Sequence, residues 1–185
     1  MFHQKKTFSF LIFTFTAAFL LFATEFKEYP RGYKEITLGM TFDEAKQALL
    51  KDSDFGYHGE RDVSLIPGTN KTLIETDANY GHGSNFLERC WFQFYNDSLF
   101  IITVNINQEK MDYYSIFTTL CKKYGNPTSF DPKKATWKSD EVTFTLEKPL
   151  TLKYIDNKVF DMTQNYSNIS ASPTEITQQM FLDEL

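Results

Sequence analysis

The chain has 185 residues, with 24 acidic side chains against 19 Lys and Arg and a formal net charge of −5. An acidic chain without a basic cluster lacks the positive face that nucleic acids and anionic lipids require, so neither is expected as a partner. The length fits one domain, whose core is large enough to need neither a metal nor a disulfide scaffold.

The N-terminus has the pattern of a secretion signal. Lys5 and Lys6 precede an apolar run from Phe8 to Ala23, as in the two regions of a signal peptide. The run is shorter than the about 20 apolar residues of a membrane span. Cleavage after Ala23 is preferred on length, with cleavage after Ala18 and an uncleaved membrane anchor as the alternatives. We therefore expect an exported protein, periplasmic or secreted, without residues 1–23.

A first helix is predicted to begin after Thr41. Thr41 and Glu44 have the spacing of a capping box, in which each side chain accepts a hydrogen bond from the other residue's backbone N–H. Phe42, Ala45 and Leu49 then fall on one face of the helix.

The following segment alternates as β-strands do. Runs at 62–66 and 71–76 flank a Pro67–Gly68 turn and predict a hairpin. A loop rich in turn residues covers 77–85.

Two strands, at 88–95 and 99–107, come next. Side chains alternate along a strand, so each strand is predicted to present one apolar face. On the first strand this face consists of Cys90, Phe92 and Phe94. On the second, which we expect to be central, it consists of Phe100, Ile102, Val104 and Ile106.

A second helix is predicted over 111–124, where Gly125 and Pro127 end it. Strands at 135–138, 141–147 and 150–155 follow, and an Asp156–Asn157 turn leads to a last run at 158–160. The fold class is therefore α+β, with two helices packed on one face of a mostly antiparallel sheet.

The C-terminal part is predicted to be separate from the domain of residues 24–162. A polar linker covers 163–171, and Ser172, Pro173 and Glu175 signal the start of a short amphipathic helix over 172–185. Its apolar stripe consists of Ile176, Met180 and Phe181. The stripe has two interpretations: it docks on the chain's own domain, or it binds in the groove of a protein partner.

No catalytic constellation is recognised, and we expect no catalytic residue, no cofactor and no enzyme activity. His58, Glu60 and Asp62 alternate, so an extended segment would direct all three side chains to one side. With His82 they form a weak set of candidate metal ligands, although the strong zinc spacings are absent. The alternative is a group of solvated charges beside a loop.

The two cysteines, Cys90 and Cys121, are an even pair in a chain expected to be exported, which favours a disulfide. Cys90 lies on a predicted strand, and Cys121 on a helix that must cover a sheet face. A Cys90–Cys121 disulfide is therefore one hypothesis, and two separate buried thiols are the other.

Several stretches resemble known families. ITLGMTFDEAKQALL resembles the helix-entry motif of outer-membrane assembly lipoproteins of the SmpA/OmlA type and of the beta-lactamase-inhibitor fold; the matching residues are Gly39, Met40, Thr41 and Glu44. YGNP at 124–127, followed by Trp137, is similar to the way these domains pass from helix to strand. The lipidated cysteine of those assembly proteins is missing here. The stretches RCWFQFYNDSLFIITVNI and PLTLKYIDNKVFD resemble a family of uncharacterised exported proteins of spirochaetes.

The resulting expectation is a non-enzymatic exported domain that binds another protein in the cell envelope, where the resemblance implies a role in envelope assembly. The expected contact surfaces are the 77–85 loop and the C-terminal stripe. One alternative is a small-ligand or metal-binding protein centred on His58, Glu60, Asp62 and His82. The other is an inhibitor of a secreted enzyme, which only the fold resemblance implies.

Overall fold

The computed structural model describes residues 28–66, 70–78 and 86–169. The predicted signal segment, His82 and the predicted C-terminal helix lie outside these residues. In chain order the elements are β1 (Gly32–Tyr33), β2 (Ile36–Thr37), α1 (Phe42–Lys51), β3 (Val63–Ile66), β4 (Lys71–Asp77), β5 (Leu87–Tyr95), β6 (Ser98–Ile106), α2 (Tyr113–Tyr124), β7 (Ser129–Phe130), β8 (Lys134–Lys138), β9 (Val142–Glu147), β10 (Thr151–Asp156) and α3 (Asn157–Ile169).

Eight strands form one sheet in the order β3-β4-β5-β6-β10-β9-β8-β7, and every neighbouring pair is antiparallel. The predicted hairpin at 62–76 is confirmed as β3–β4. β10 pairs with both β6 and β9, so the last of the described strands joins the two halves of the sheet. The α+β class with a mostly antiparallel sheet is thus confirmed.

The start of α1 follows from the capping box predicted at Thr41. The Glu44 backbone N–H donates to Thr41 Oγ1 at 3.3 Å, and the Thr41 N–H donates to Glu44 Oε2 at 2.9 Å. α2 begins in a similar way, because Asp112 Oδ1 accepts the Ser115 N–H at 2.9 Å. Both predicted helices are confirmed.

Both helices pack on the same face of the sheet. Phe42 of α1 contacts Phe94 of β5 with ring centroids 5.4 Å apart, and Phe117 of α2 contacts Trp137 of β8 at 6.3 Å. The strand register places Phe94 and Trp137 on one face of the sheet. The main core lies between this face and the helices.

The prediction that Phe100 belongs to the core-facing side of β6 is wrong. The β5–β6 register shifts between Gln93 and Phe94, so that Phe94 pairs with Leu99. This β-bulge places Leu99 in the main core, and Phe100 lies outside that core although it is buried. Ile102, Val104 and Ile106 face the core as predicted.

The sequence predicts a turn at Asp156–Asn157, a last strand and a linker from 163, but the structure has a helix there. Asp156 Oδ1 accepts the Val159 N–H at 3.0 Å and so caps α3 instead of starting a hairpin turn. α3 continues to Ile169, so the linker prediction is wrong for 163–169. No helix among the described residues has the length and apolar character needed to cross a membrane.

Candidate functional site

Of the candidate metal ligands that the structure describes, His58 and Asp62 lie together, with His58 Nδ1 3.6 Å from Asp62 Oδ2. Glu60–Asp62 form one turn of 3-10 helix, so the alternation expected of an extended segment does not occur. Asp62 Oδ2 accepts the His58 backbone N–H at 2.6 Å, whereas Glu60 pairs with Lys46 of α1. Across the described residues, no group of three His, Cys, Asp or Glu side chains is arranged to hold a metal ion. The reading of His58, Glu60 and Asp62 as one ligand set is therefore wrong, and His82 lies outside the described residues.

The predicted disulfide is not formed, since Cys90 and Cys121 are both free thiols. Cys90 lies on β5, whereas α2, which carries Cys121, packs over β8 and β9 through Phe117 and Tyr124. β9 is three strands from β5, or about 14 Å. A disulfide needs Cβ atoms about 4 Å apart.

The two thiols also differ in exposure. Cys90 is completely buried, and this burial raises the pKa of its thiol to about 12. Cys121 is half-buried, and desolvation raises its pKa as well. A high thiol pKa keeps the sulfur protonated and poorly nucleophilic.

The candidate binding surface is the β3 edge, formed by residues 63–66. In the described part of the chain only β4 pairs with β3, so the other side of β3 presents backbone N–H and C=O groups without a strand partner. The edge contains no proline and no charged residue, the features that protect natural edge strands. The opposite edge, β7, has only two residues.

Leu65 gives the β3 edge an apolar side chain in solvent, because it is 74% exposed. It lies opposite Thr72, which lies opposite Phe94 on the face that the helices cover. Val63, two residues earlier on the same face, packs against the core. The core-facing side of the sheet therefore continues to Leu65, where no described element covers it.

Contacts on the preceding turn hold the β3 edge in place. Lys46 of α1 pairs with Glu60, and Asp62 bonds the backbone of His58. The residues that the sequence suggested as metal ligands thus position the start of β3. An edge fixed in this way needs little ordering when another strand pairs with it.

The sequence predicted β3 as a strand but did not predict its place at the edge. Strand order depends on pairings between distant segments, and here β10 supplies the centre of the sheet. The available signal was the absence of charge and proline in VSLI. The sequence-predicted contact residues Ile176, Met180 and Phe181, and the stretch 79–85, lie outside the described residues.

The comparisons with known proteins give one match. The model of the TP0088 domain family matches residues 31–166, which contain α1, α2 and the complete eight-stranded sheet. No curated protein and no solved structure matches the chain. The match agrees with the predicted resemblance to a spirochaetal family, and nothing found supports the SmpA/OmlA resemblance. Since the matched region covers nearly three quarters of the sequence, the chain belongs to the TP0088 domain family.

Proposed function

We propose that this chain is a non-enzymatic exported domain that binds another protein of the cell envelope, and that the β3 edge is the binding surface. The observation that carries the proposal is Leu65, a large apolar side chain that is 74% exposed on an edge strand that no described element covers. Exposed edges of this kind pair with an extended segment of a partner, and main-chain hydrogen bonds provide much of the affinity.

The chemistry of the edge defines the partner segment. A strand paired with β3 continues the antiparallel sheet and satisfies the outward N–H and C=O groups of residues 63–66. A residue opposite Leu65 lies on the same face as Leu65, so an apolar side chain there buries both. Complete burial of a Leu side chain contributes about 1.5–3 kcal/mol of free energy. Because Leu65 is still mostly exposed, a partner strand that covers it would provide most of this contribution.

Two features support a non-enzymatic role. Burial keeps the Cys90 thiol protonated and removes it from solvent. Glu60 pairs with Lys46, and Asp62 accepts the His58 backbone N–H while its Oδ2 lies 3.6 Å from His58 Nδ1. These groups hold the β3 edge rather than forming a reactive cluster.

Export is supported by the sequence of residues 1–23 alone, where a positive start precedes an apolar run. The periplasm or cell envelope is the compartment in which a protein partner is then expected.

The test is proximity cross-linking in the native cell, followed by mass spectrometry, with wild type and Leu65→Lys. The matched control is Leu50→Lys, because Leu50 is also exposed (58%) but lies on α1. A partner that is lost with Leu65→Lys and retained with Leu50→Lys supports the proposal. Equal capture by all three proteins contradicts it.

A third variant tests the C-terminal stripe, which the sequence predicted as a contact surface. Replacing Ile176, Met180 and Phe181 together by Asp leaves the β3 edge unchanged. If the partner is lost only in this variant, the C-terminal segment is the binding surface and the β3 proposal is wrong.

A further inference from the structure

The helix layer of the domain is incompletely covered at α2. None of the twelve residues of α2, all of which the structure describes, is fully buried, whereas α1 buries Ala45 and Leu49. Ile116, Phe117 and Leu120 pack against the core and still remain partly accessible. A helix on the surface of a domain normally buries its apolar stripe. The partial burial of α2 therefore leaves apolar surface for a further contact.

Two aromatic side chains extend this accessible surface toward the β7 edge. Phe130 of β7 contacts Phe117 of α2 with ring centroids 5.5 Å apart and is nevertheless 64% exposed. Tyr114 lies on α2 three residues before Phe117, so the two are neighbours on the helix surface, and it is 73% exposed. Exposed apolar groups that lie together mark interaction surfaces, where aromatic residues are enriched. We call Tyr114, Phe117 and Phe130 the α2 patch.

The charge around the α2 patch is positive. Residues 113–124 contain no Asp or Glu, and the last turn of α2 carries Lys122 and Lys123. Lys148 lies beside the start of the helix, with its Nζ 5.5 Å from the centre of the Tyr113 ring. Within the described part of the chain, neither Lys122 nor Lys148 pairs with a carboxylate. A partner of this surface should therefore present carboxylates.

α1, in the same helix layer, presents the opposite charge. An open groove of about 800 Å³ runs beside this helix, and four carboxylates and one lysine line it together with the apolar side chains of Met40 and Ala48. Glu35 and Asp43, two of the four carboxylates, make no ion pair with any described residue. We call this depression the α1 groove. Apolar groups among carboxylates are the complement of aromatic groups among lysines.

We propose that the helix layer binds a second copy of this chain, with the α2 patch of each copy against the α1 groove of the other. A two-fold dimer needs a self-complementary surface, because each contact occurs twice with the roles of the two copies exchanged. Opposite charges on the two helices of one layer meet this requirement. The net charge of the chain is −5, so two copies attract each other only where a positive surface meets a negative one. This inference goes beyond the proposed function, since it uses the helix layer and leaves the β3 edge to a different partner.

The test is sedimentation equilibrium of the protein purified from the native cell, over a range of protein concentrations and at low and high salt. The expected result is a dimer that dissociates on dilution and becomes weaker at high salt, because salt screens the contacts between lysines and carboxylates. A monomer at every concentration overturns the proposal. A dimer that salt does not weaken overturns it as well, because charge complementarity then does not hold the copies together.

Charge-reversal variants test whether the two surfaces meet. Lys122→Glu and Glu35→Lys should each weaken the dimer about tenfold, since in a two-fold pair every reversal acts at two contacts. The two changes combined in one chain should restore the dimer, because the signs are then exchanged on both sides. If the combined variant is as weak as the single ones, the α2 patch and the α1 groove do not meet.

Lys138→Glu is the matched control for these reversals. Lys138 is exposed on β8, at a position that alternates with Trp137 and so belongs to the face opposite the helices. The control changes the net charge as Lys122→Glu does and should leave the dimer unchanged. Equal weakening by Lys138→Glu and Lys122→Glu would mean that only net charge matters, and the proposal would be wrong.

Two further variants separate the apolar contact from the β3 edge. Tyr114→Ser should weaken the dimer about tenfold, because it removes an aromatic side chain from the α2 patch and leaves the charges in place. Leu65→Lys should leave the dimer unchanged. The proposal is wrong if Tyr114→Ser has no effect, or if Leu65→Lys abolishes the dimer and so assigns it to the β3 edge. Sedimentation of the purified chain reports only contacts between copies, so this inference and the capture of another protein fail separately.

Discussion

The indole N–H of Trp137 donates a hydrogen bond of 2.8 Å to the carbonyl oxygen of Gly125. Gly125 is the residue that ends α2, and Trp137 lies in the middle of β8 with no exposed surface. The same indole stacks against Phe144 with ring centroids 5.4 Å apart. One side chain thus joins the end of a helix to the layer of sheet that the helix covers.

Trp137→Phe should destabilise the protein by about 2–4 kcal/mol. The smaller ring leaves the Gly125 carbonyl without its donor and leaves a cavity beside Phe144. Urea unfolding measures the loss as a lower midpoint with an unchanged slope. Trp91→Phe is the control, because Trp91 is half-buried on the other face of the sheet. If the two variants lose equal stability, the bond to Gly125 has no special role.

Gly56 and Gly39 provide a matched pair of backbone tests. Both have positive φ, +62° and +92°, which side-chain-bearing residues rarely adopt. A Cβ at Gly56 would collide with the carbonyl oxygen of Asp77, whereas a Cβ at Gly39 would meet no described atom within 4 Å. Gly39→Ala should therefore cost about 1–2 kcal/mol from backbone strain alone.

Gly56→Ala adds a collision with the backbone of β4 and should cost clearly more than Gly39→Ala. Thermal unfolding of both variants, with wild type alongside, provides the comparison. Equal losses would mean that β4 moves away from Gly56 without cost, which its pairing with β5 opposes.

Signals within a few residues predicted the helix starts and the hairpin correctly. They failed where the structure depends on pairing between distant segments. The capping box at Thr41 and the pairing of β3 with β4 depend on neighbouring residues, and both are present. The face of Phe100 depends on a bulge in its pairing with β5, and alternation along β6 gives no sign of it. Asp156 is favoured both in turns and as a helix cap, so composition alone left α3 unrecognised.

The candidate site could be predicted only in part, for the same reason. The apolar character of Leu65 is visible in the sequence, but its exposure follows from β3 being at the end of the sheet. Similarly, the sequence placed Cys90 and Cys121 on a strand and a helix without giving the distance between those elements. Strand order, which places α2 over β8 and β9, separates the two thiols.

The two cysteines should react at very different rates with a thiol reagent. Burial raises the pKa of Cys90 to about 12, so at pH 8 roughly one molecule in ten thousand carries a thiolate there. Cys121 is half-buried and should label slowly in the native protein, whereas Cys90 should label only after unfolding. Mass spectrometry after labelling without reductant counts the modified thiols.

Cys121→Ser is the control for the labelling experiment, and its native form should show no labelling. Rapid labelling of both residues would mean that β5 opens readily. If neither residue labels even after unfolding, the two are joined in a disulfide, contrary to the structure.

Helix caps should make the stability of the domain depend on acid pH. Backbone and side-chain hydrogen bonds from Thr41 lower the pKa of Glu44 below its ordinary value of 4.5, and bonds from Ser115 lower the pKa of Asp112 below 3.8. In the acid range the unfolded chain therefore binds more protons than the native one at these two groups. Their stabilisation is complete above the unfolded values and is lost as pH falls through the folded values.

Glu44→Gln together with Asp112→Asn removes these two titrations from the caps. Urea unfolding from pH 7 to pH 3 should give a smaller loss of stability for this double variant than for wild type. Glu88→Gln serves as the control, because Glu88 lies on β5 and caps no helix. Since the stability of wild type should fall toward the level of the double variant at low pH, the two curves should converge. Parallel curves would show that the caps do not carry the pH dependence, because deleting a titrating group must change the slope in the range where that group binds its proton.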